Sequence, residues 1–586
     1  MRIRAMPSSV PAQSYAAQLR RAFLIAAALI AVLWFAGLGA RALFMPDEGR
    51  YAEIPREMLA SGDWITPRLD DLKYFEKPPL QYWATAAGFA LFGEHAWSAR
   101  LWPALTGLAG VLLLVFAGHR LGPPGAGPLA GIVAASSWGY LLASQYLTLD
   151  MGLTFFMLLT LVAFLLAHRD PGDERARRAW MLVAWLAMAL AMLSKGLEGI
   201  VLPGLTLFAY VLVQRDWRLL GRMHWRAGLL AFGIVALPWF VVVQLRNPEF
   251  FHFFFVYEHF DRYLEPGHHR PGPWWYYLPL LLLGMLPWTP ALVGALGRAA
   301  KGTAPAGALD VDRLLALWSA VIVVFFSASD SKLPAYIIPV MPALALLVAR
   351  DAARRGSLAL RAIAPWTALA GIATLVLAWR LPALVRNPEL AALIPGYAPW
   401  LASAGALWVL GAGLAWAVAR RGRDAALVAL AISSLAGVQV MLWGLRSLDG
   451  YYSARGLVRE LGAEHRRFAP QAPFYSVDTF DQSLPFYLGR PVTLVAYRSE
   501  LELGTAMEPA KFVPTLQEFE QRWKTGGEAY AVMTPATYAR LAREGLPMRL
   551  LAQDAARVVV ARTGERPALA PRREGLLPEL LGRLVP

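Results

Sequence analysis

No cysteine occurs anywhere in the 586 residues. Its absence excludes a disulfide framework and a thiolate metal site, and leaves any chemistry to oxygen and nitrogen groups. Charge is scarce as well: Asp, Glu, Lys and Arg make up 17% of the chain against 57% hydrophobic residues, with a mean hydropathy of +0.43. That balance excludes a string of soluble domains and belongs to the membrane class. Internal repeats and hydropathy symmetry, the marks of many transporters, are missing too.

Long apolar runs are what the sequence has. Windows of about 20 apolar residues fall near 22–44, 97–118, 126–146, 150–168, 178–195, 199–214, 226–245, 275–297, 313–329, 334–350, 361–381, 398–419 and 424–444, about 13 helices. The first window follows Arg2, Arg4, Arg20 and Arg21 and has no small-residue cleavage site, so it reads as an anchor with a cytoplasmic N-terminus. Threading onward puts Arg120, Arg169, Arg175, Arg177 and Arg178, Arg215, Arg218, Arg222 and Arg226, Arg298 and Lys301, Arg350, Arg354 and Arg355, and Arg420, Arg421 and Arg423 on the inside. The formal charge of +15 is therefore topological. Membrane lipids are expected partners and nucleic acid is not.

The opposite face receives the loops that are not simply basic. These are the segment from Met45 to Trp97, the turn "SQYLTLD" ending at Asp150, "LSKGLEG" around Lys195, the loop from Arg246 to Pro273, and "SASDSKLPAYIIP". Polar clusters converging on one membrane face make that face the expected functional site. Beyond about Trp443, "SARGLVRELGAEHRR" and "TPATYARLAREG" read as helices and "APFYSV" and "RPVTLVAY" as strands, a small α/β domain on the same face. A Pro- and Arg-rich stretch at the end reads as a loose tail. The expected fold is an all-α polytopic membrane protein over residues 1–444, with a first outer loop at 45–97, and a C-terminal α/β domain over 445–586 on the extracytoplasmic face.

Each cluster has a structural and a functional reading. Asp47, after Pro46, is either the N-cap of "EGRYAEIPREML" or a carboxylate held at a cavity mouth, and the two are compatible. Asp150 is likewise an N-cap of the helix it precedes, or a second acid at the same cavity. Arg50, Arg56, Lys73 and Lys77 are either interfacial anchors or ligands for a lipid phosphate. "EKPP" fixes the chain around Lys77 and favours the second reading there. Lys195 and Lys332 stand at helix ends in apolar sequence, where a lone ammonium costs about 2.5 kcal/mol or more unless paired. "PPLQYWATAAGFALFG" is too short to span comfortably and reads as a re-entrant or interfacial helix. In "FFHFFFVYEHFDRYLEPGHHRPGPWWYY", aromatics suit an interfacial belt, Arg262 suits a phosphate, and Glu258 with His259, His268 and His269 could ligate a divalent ion, though no HExxH spacing is present.

The stretches "PDEGRYAEIPREMLASGDWITPRLDDLKYFEKPPLQYW", "YLTLDMGLTFF", "SKGLEGIVLPG", "EHFDRYLEPGHHRPGPWWYY" and "FFSASDSKLPAYIIPVMP" together resemble the lipid A aminoarabinose transferases, within the larger group related to protein O-mannosyltransferases. The resemblance covers about the first 345 residues. It implies a bacterial inner-membrane glycosyltransferase that moves 4-amino-4-deoxy-L-arabinose from an undecaprenyl phosphate donor to lipid A phosphate in the periplasm, a change that confers resistance to cationic peptides. It also implies Asp47 and Asp150 as the acids of the active cavity, Arg50, Lys77 and Arg262 as a clamp for the carrier phosphate, and Tyr51, Tyr74, Lys195, Lys332 and Tyr336 as cavity lining. Glu76 with His259 are its candidates for a divalent metal ion. Alternatives are a relative using another polyprenyl-linked sugar or a protein acceptor, a lipid transporter, and a non-catalytic scaffold.

Overall fold

The structure is a computed structural model that describes residues 28–562 apart from 171, 262–270, 303–308, 356–359, 420–421 and 464–470, and apart from the side chains of 259–261, 360–361 and 463. Arg262, His268, His269, the His259 side chain and the C-terminal tail thus lie outside the described residues.

Among the described residues, nine helices are long and apolar enough to cross a membrane, and eleven when each of two bent pairs counts as one span. Eleven of the 13 expected windows are thus met among the described residues. Of the two remaining windows, one falls on Glu198–Gln214, which at 17 residues is shorter than the others. The other, 22–44, is described only from residue 28 and is helical over 28–35. The bent pairs are Ala126–Ser136 with Trp138–Ser144, broken by 67°, and Tyr277–Gly284 with Thr289–Lys301, broken by 115°. The second break holds Pro287, whose missing N–H cannot continue the helical ladder.

Burial ranks the helices. Asp150–Ala167 and Pro334–Arg354 are 89% buried across their apolar windows, whereas Trp225–Arg246 and Ala362–Leu384 are 28% buried. The first two form the centre of the bundle and the others present Leu, Val, Ile and Trp outward. Asp150 therefore stands at the end of a central helix. At the opposite end, basic connectors do more than anchor: Arg298 donates to Asp351 at 2.5 and 2.6 Å, and Arg350 to Asp312 at 2.7 Å, tying neighbouring helices together.

The segment after residue 44 folds into a helix, Asp47–Ser61, that carries eleven buried residues and ends on Gly62 at φ 72°. A non-glycine residue is strained in that left-handed conformation. A hairpin follows, strands β1 (Arg68–Leu69) and β2 (Leu72–Lys73), turned by Asp70 and Asp71 at φ 58° and 59°. Two consecutive positive φ angles define the tight hairpin turn that Asp tolerates. "LQYWATAAGFALF" is a 13-residue helix, Leu80–Phe92, with Leu91 and Phe92 exposed, consistent with an interfacial position.

The C-terminal part is a six-stranded sheet with strands β3 (Phe474–Val477), β4 (Thr493–Val495), β5 (Phe512–Val513), β6 (Tyr530–Met533), β7 (Met548–Gln553) and β8 (Val558–Arg562) in the order β5-β4-β3-β6-β8-β7. β5, β4, β3 and β6 are mutually parallel, and β8 lies antiparallel between β6 and β7. Its seat on the membrane part is at Gly49. A Cβ there would lie 2.5 Å from the backbone carbonyl carbon of Gln482, just before the Ser483–Leu488 helix. Backbone cannot swing aside, so Gly49→Val is expected to cost about 1–3 kcal/mol. The check is thermal unfolding of the full chain in detergent; an unchanged midpoint would show that this contact is not formed.

Candidate functional site

Two polar clusters form at the end of the bundle that carries the sheet domain. In the first, Arg50 Nη2 donates to Asp47 Oδ1 at 3.0 Å, Nη1 donates to the Tyr74 hydroxyl at 2.8 Å, and Glu76 lies 3.8 Å from Nη1. Tyr51 presents its ring face to the same guanidinium, 5.4 Å from the centroid. Burial pushes the Arg50 pKa down, but Tyr74, Tyr51, Glu500 and Glu76 around it push it further up, so the charge is permanent. Burial raises Tyr51 and Tyr74 well above the ordinary phenol range despite the Arg50 charge beside them, so both stay neutral. Arg50 Nε is buried with no hydrogen-bond partner among the described residues.

In the second cluster, Lys195 Nζ donates to Asp150 Oδ1 at 2.7 Å, lies 3.9 Å from Glu198, and sits 4.5 Å from the Tyr336 ring centroid. Lys332 is buried and donates to the Ser329 carbonyl at 2.5 Å. The two buried lysines differ: Lys195 has a carboxylate and Lys332 has a backbone oxygen. Lys77, beside the first cluster, is 3.3 Å from Glu258 on the His252–Asp261 segment.

The capping reading of both acids is corrected. Pro46 and Leu149 occupy the N-cap positions, and neither helix start has a side-chain cap. Asp47 and Asp150 stand one residue further in, where a carboxylate still favours the positive helix end but is free to point at a side-chain cation. Their environments then diverge. The Asp47 side chain is 43% exposed and that of Asp150 10%.

What joins the clusters was not singled out as a site from sequence. Glu48 is fully buried and accepts from Arg100 Nε at 2.7 Å and Nη2 at 2.8 Å, from Arg41 Nη2 at 2.9 Å and also from Arg41 Nη1. It further accepts the backbone N–H of Phe44 at 3.1 Å and of Leu147 at 3.1 Å. One carboxylate thus clamps the residue next to Asp47 to the turn that leads into Asp150. Burial pushes its pKa up, but Arg100 and Arg41 outweigh that and hold it at about 2. The only signal in the sequence was an acid adjoining Asp47, with cations far away in the chain.

The sheet domain also reaches the site. Gln482 Nε2 donates to Glu500 at 2.6 Å, and Glu500 is among the groups acting on Arg50. The loop bearing it has Ala496 at φ 55° and Ser499 at φ 38°, conformations that non-glycine residues adopt at a cost and that concentrate at functional sites. No pattern in the sequence marked Glu500. For a metal, Glu76 is held against Arg50, and among the described residues no group of three or more His, Asp or Glu has a ligand arrangement. The His259 side chain, the other expected ligand, lies outside the described residues.

Comparison with known proteins follows this division. Residues 20–254 match the family described as dolichyl-phosphate-mannose-protein mannosyltransferase, and residues 462–562 match the aminoarabinose transferase C-terminal domain. The chain is 39% identical over 316 residues to an undecaprenyl phosphate-alpha-4-amino-4-deoxy-L-arabinose arabinosyl transferase of Pseudomonas aeruginosa, covering 53% of this chain and 56% of that one. The chain thus spans a little over half the length of that relative. A protein of the same description from Erwinia tasmaniensis is 32% identical over 428 residues, 70% of this chain and 75% of its own. The crystal structure of ArnT from Cupriavidus metallidurans bound to undecaprenyl phosphate superposes with a TM-score of 0.86 at 38% identity, covering 92% of this chain and 97% of that one. That match covers both the helical bundle and the sheet domain: the chain is a multi-pass membrane protein and belongs to the undecaprenyl phosphate aminoarabinose arabinosyl transferase family.

Proposed function

We propose that this protein transfers 4-amino-4-deoxy-L-arabinose from undecaprenyl phosphate to a phosphate of lipid A, at the periplasmic face of the bacterial inner membrane, and that residues 445–586 form a periplasmic domain closing the site. The observation that carries the reading is the contrast between two acids at one end of the bundle, joined through Glu48: Asp47 on a buried Arg50 and two neutral tyrosines, and Asp150 on Lys195. Family membership supports the donor, and the basic connectors at the far end support the orientation.

In this reading the bond from the sugar's anomeric carbon to the carrier phosphate breaks, undecaprenyl phosphate leaves with the electron pair, and an acceptor phosphate oxygen bonds to the same carbon. Arg50 and Lys77, with Arg262 as the third member of the clamp, receive the charge that develops on the departing phosphate; Arg50 and Lys77 do so from positions that their ion pairs fix before reaction. Asp150 holds Lys195 charged and aimed. Asp47 faces the open side and stabilises positive charge at the sugar. A lipid A phosphate has a second pKa of about 6, so it is already a nucleophile near pH 7 and needs no base.

Mass spectrometry of lipid A from cells with and without the gene tests the whole reading. An aminoarabinose increment on phosphate is expected only with it; unchanged lipid A would overturn donor and acceptor together. For the clamp, Lys77→Ala removes a charge-assisted contact of about 1.5–3 kcal/mol. It is expected to raise the apparent KM for the donor about tenfold or more. A lowered kcat at unchanged KM would move Lys77 out of the donor site.

A further inference from the structure

An apolar cavity runs along the helices that carry Asp150, Lys195 and Glu198. It has a volume of about 340 Å³ and opens between the Asp150–Ala167, Glu174–Lys195, Glu198–Gln214 and Trp225–Arg246 helices, with Phe164, Trp185, Met188 and Gly204 among its walls. It extends from Ile200, two residues past Glu198, to Phe164, which is fourteen residues along its helix from Asp150, about 21 Å at 1.5 Å per residue. The walls are hydrocarbon and aromatic, so within a membrane the cavity takes an apolar chain.

Its rim is of another kind. Leu220, Met223 and Trp225 line the mouth, and the segment that supplies them carries Arg215, Arg218, Arg222 and Arg226 with Asp216 as its one acid. None of these four arginines makes an ion pair among the described residues, whereas Arg298, Arg350, Arg354 and Arg355 at the same end are all paired with Asp312 or Asp351. Trp217 and Trp225 are exposed beside them, as aromatic side chains at a lipid headgroup level are. His168, 6% exposed, lies against the ring of Phe164 at 4.4 Å between centroids, and its Nε2 is buried with no hydrogen-bond partner among the described residues.

We propose that this cavity is a phospholipid site: an acyl chain of an anionic phospholipid from the leaflet opposite the active site fills it, and the lipid phosphate is held by the arginines of 215–226. A neutral or zwitterionic lipid would leave four guanidiniums without a net counter-charge, and a polyprenyl tail reaching down from the transfer site would bring no anion at all. Guanidinium is the side chain best matched to a phosphodiester. The site is independent of the transfer reading, which it neither uses nor alters.

The test is native mass spectrometry of the purified full-length protein with added phosphatidylglycerol or phosphatidylcholine of the same chain length. One phosphatidylglycerol is expected to survive release from detergent, at least tenfold more than phosphatidylcholine. Arg218→Gln with Arg222→Gln is expected to abolish that preference. Gly204→Leu is expected to lower retention of both lipids, since a Cβ at Gly204 meets nothing within 4 Å and the longer side chain would grow into the cavity. A thermal melt reports whether each variant is folded, and the arginine variant carries the test alone if Gly204→Leu is not. Equal retention of the two lipids by the wild type, or phosphatidylglycerol retained by the folded arginine variant, overturns the site. Displacement of phosphatidylglycerol by decaprenyl phosphate would assign the cavity to the carrier and overturn it too.

Discussion

Asp47→Asn is expected to lower transfer by at least about 100-fold, the scale of removing one preorganised electrostatic or acid–base group, while leaving the protein folded. The geometry separates the two effects. Asp47 is 43% exposed on the side chain and its ion pair with Arg50 is one of several contacts that hold the guanidinium. A partly exposed pair contributes about 0–1 kcal/mol to stability, so the melting midpoint should barely move. Asparagine keeps the shape and loses the charge, which tests charge alone. The acceptor can be read from the pH dependence of the wild type. With a phosphate acceptor the rate should rise through the acceptor's second ionisation near pH 6. Full transfer by the Asn variant in membranes would remove Asp47 from the chemistry.

Glu48→Gln is expected to act through the fold, and severely. Glu48 is the common acceptor for Arg41 and Arg100, and all three are buried. Removing one partner of a buried pair leaves an uncompensated charge and costs about 3–5 kcal/mol, which is much of the stability of a typical domain. The expected result is low yield, or a strongly lowered melting midpoint in detergent with transfer lost. Arg100→Lys should fall short of wild type as well, because an ammonium cannot reach Glu48 and also donate to the Leu38 and Ala42 carbonyls as the guanidinium does at 2.6 Å each. The pH signature follows from the sign of the shift. The folded pKa of about 2 lies below the ordinary 4.5, so the contribution is complete above pH 4.5 and is lost as pH falls toward 2. Wild-type stability should therefore fall through that window, and a folded Gln variant should not show this component. A Gln variant as stable as wild type at neutral pH would show that Glu48 is not the clamp.

The two variants distinguish chemistry from positioning in adjacent residues. Asp47 and Glu48 are consecutive, both acidic and both in the first turn of one helix. One is partly open and the other fully buried, a difference that composition and spacing could not show.

Other parts of the site divide in the same way. The pairing of Lys195 was foreseeable in kind, since an ammonium at the end of an apolar helix requires a counter-charge, but Asp150 as the partner was not, at 45 residues' separation. The capping expectation for Asp47 and Asp150 failed because one residue of register separates an N-cap from the first helical position, and Pro46 and Leu149 occupy the N-cap positions, with helical dihedrals and no capping side chain. The hairpin at "RLDDLK" was hidden because Asp-Asp is a weaker turn signal than Asn-Gly or Asp-Gly. Glu500 reaches Arg50 only because the sheet domain seats on Gly49.

The sequence by itself determined the membrane class, the position of the apolar helices, the basic end of the bundle and the set of polar segments at the other end. Each of these depends on residues within about 20 positions of one another, because hydropathy and the charge next to a helix end are local properties. Only the tertiary structure decided which charges meet: Glu48 with Arg100 across 52 residues, and Arg68 with Glu508 across 440. Such pairs are fixed by how helices and domains come together, and in an apolar interior every buried charge must find its partner there.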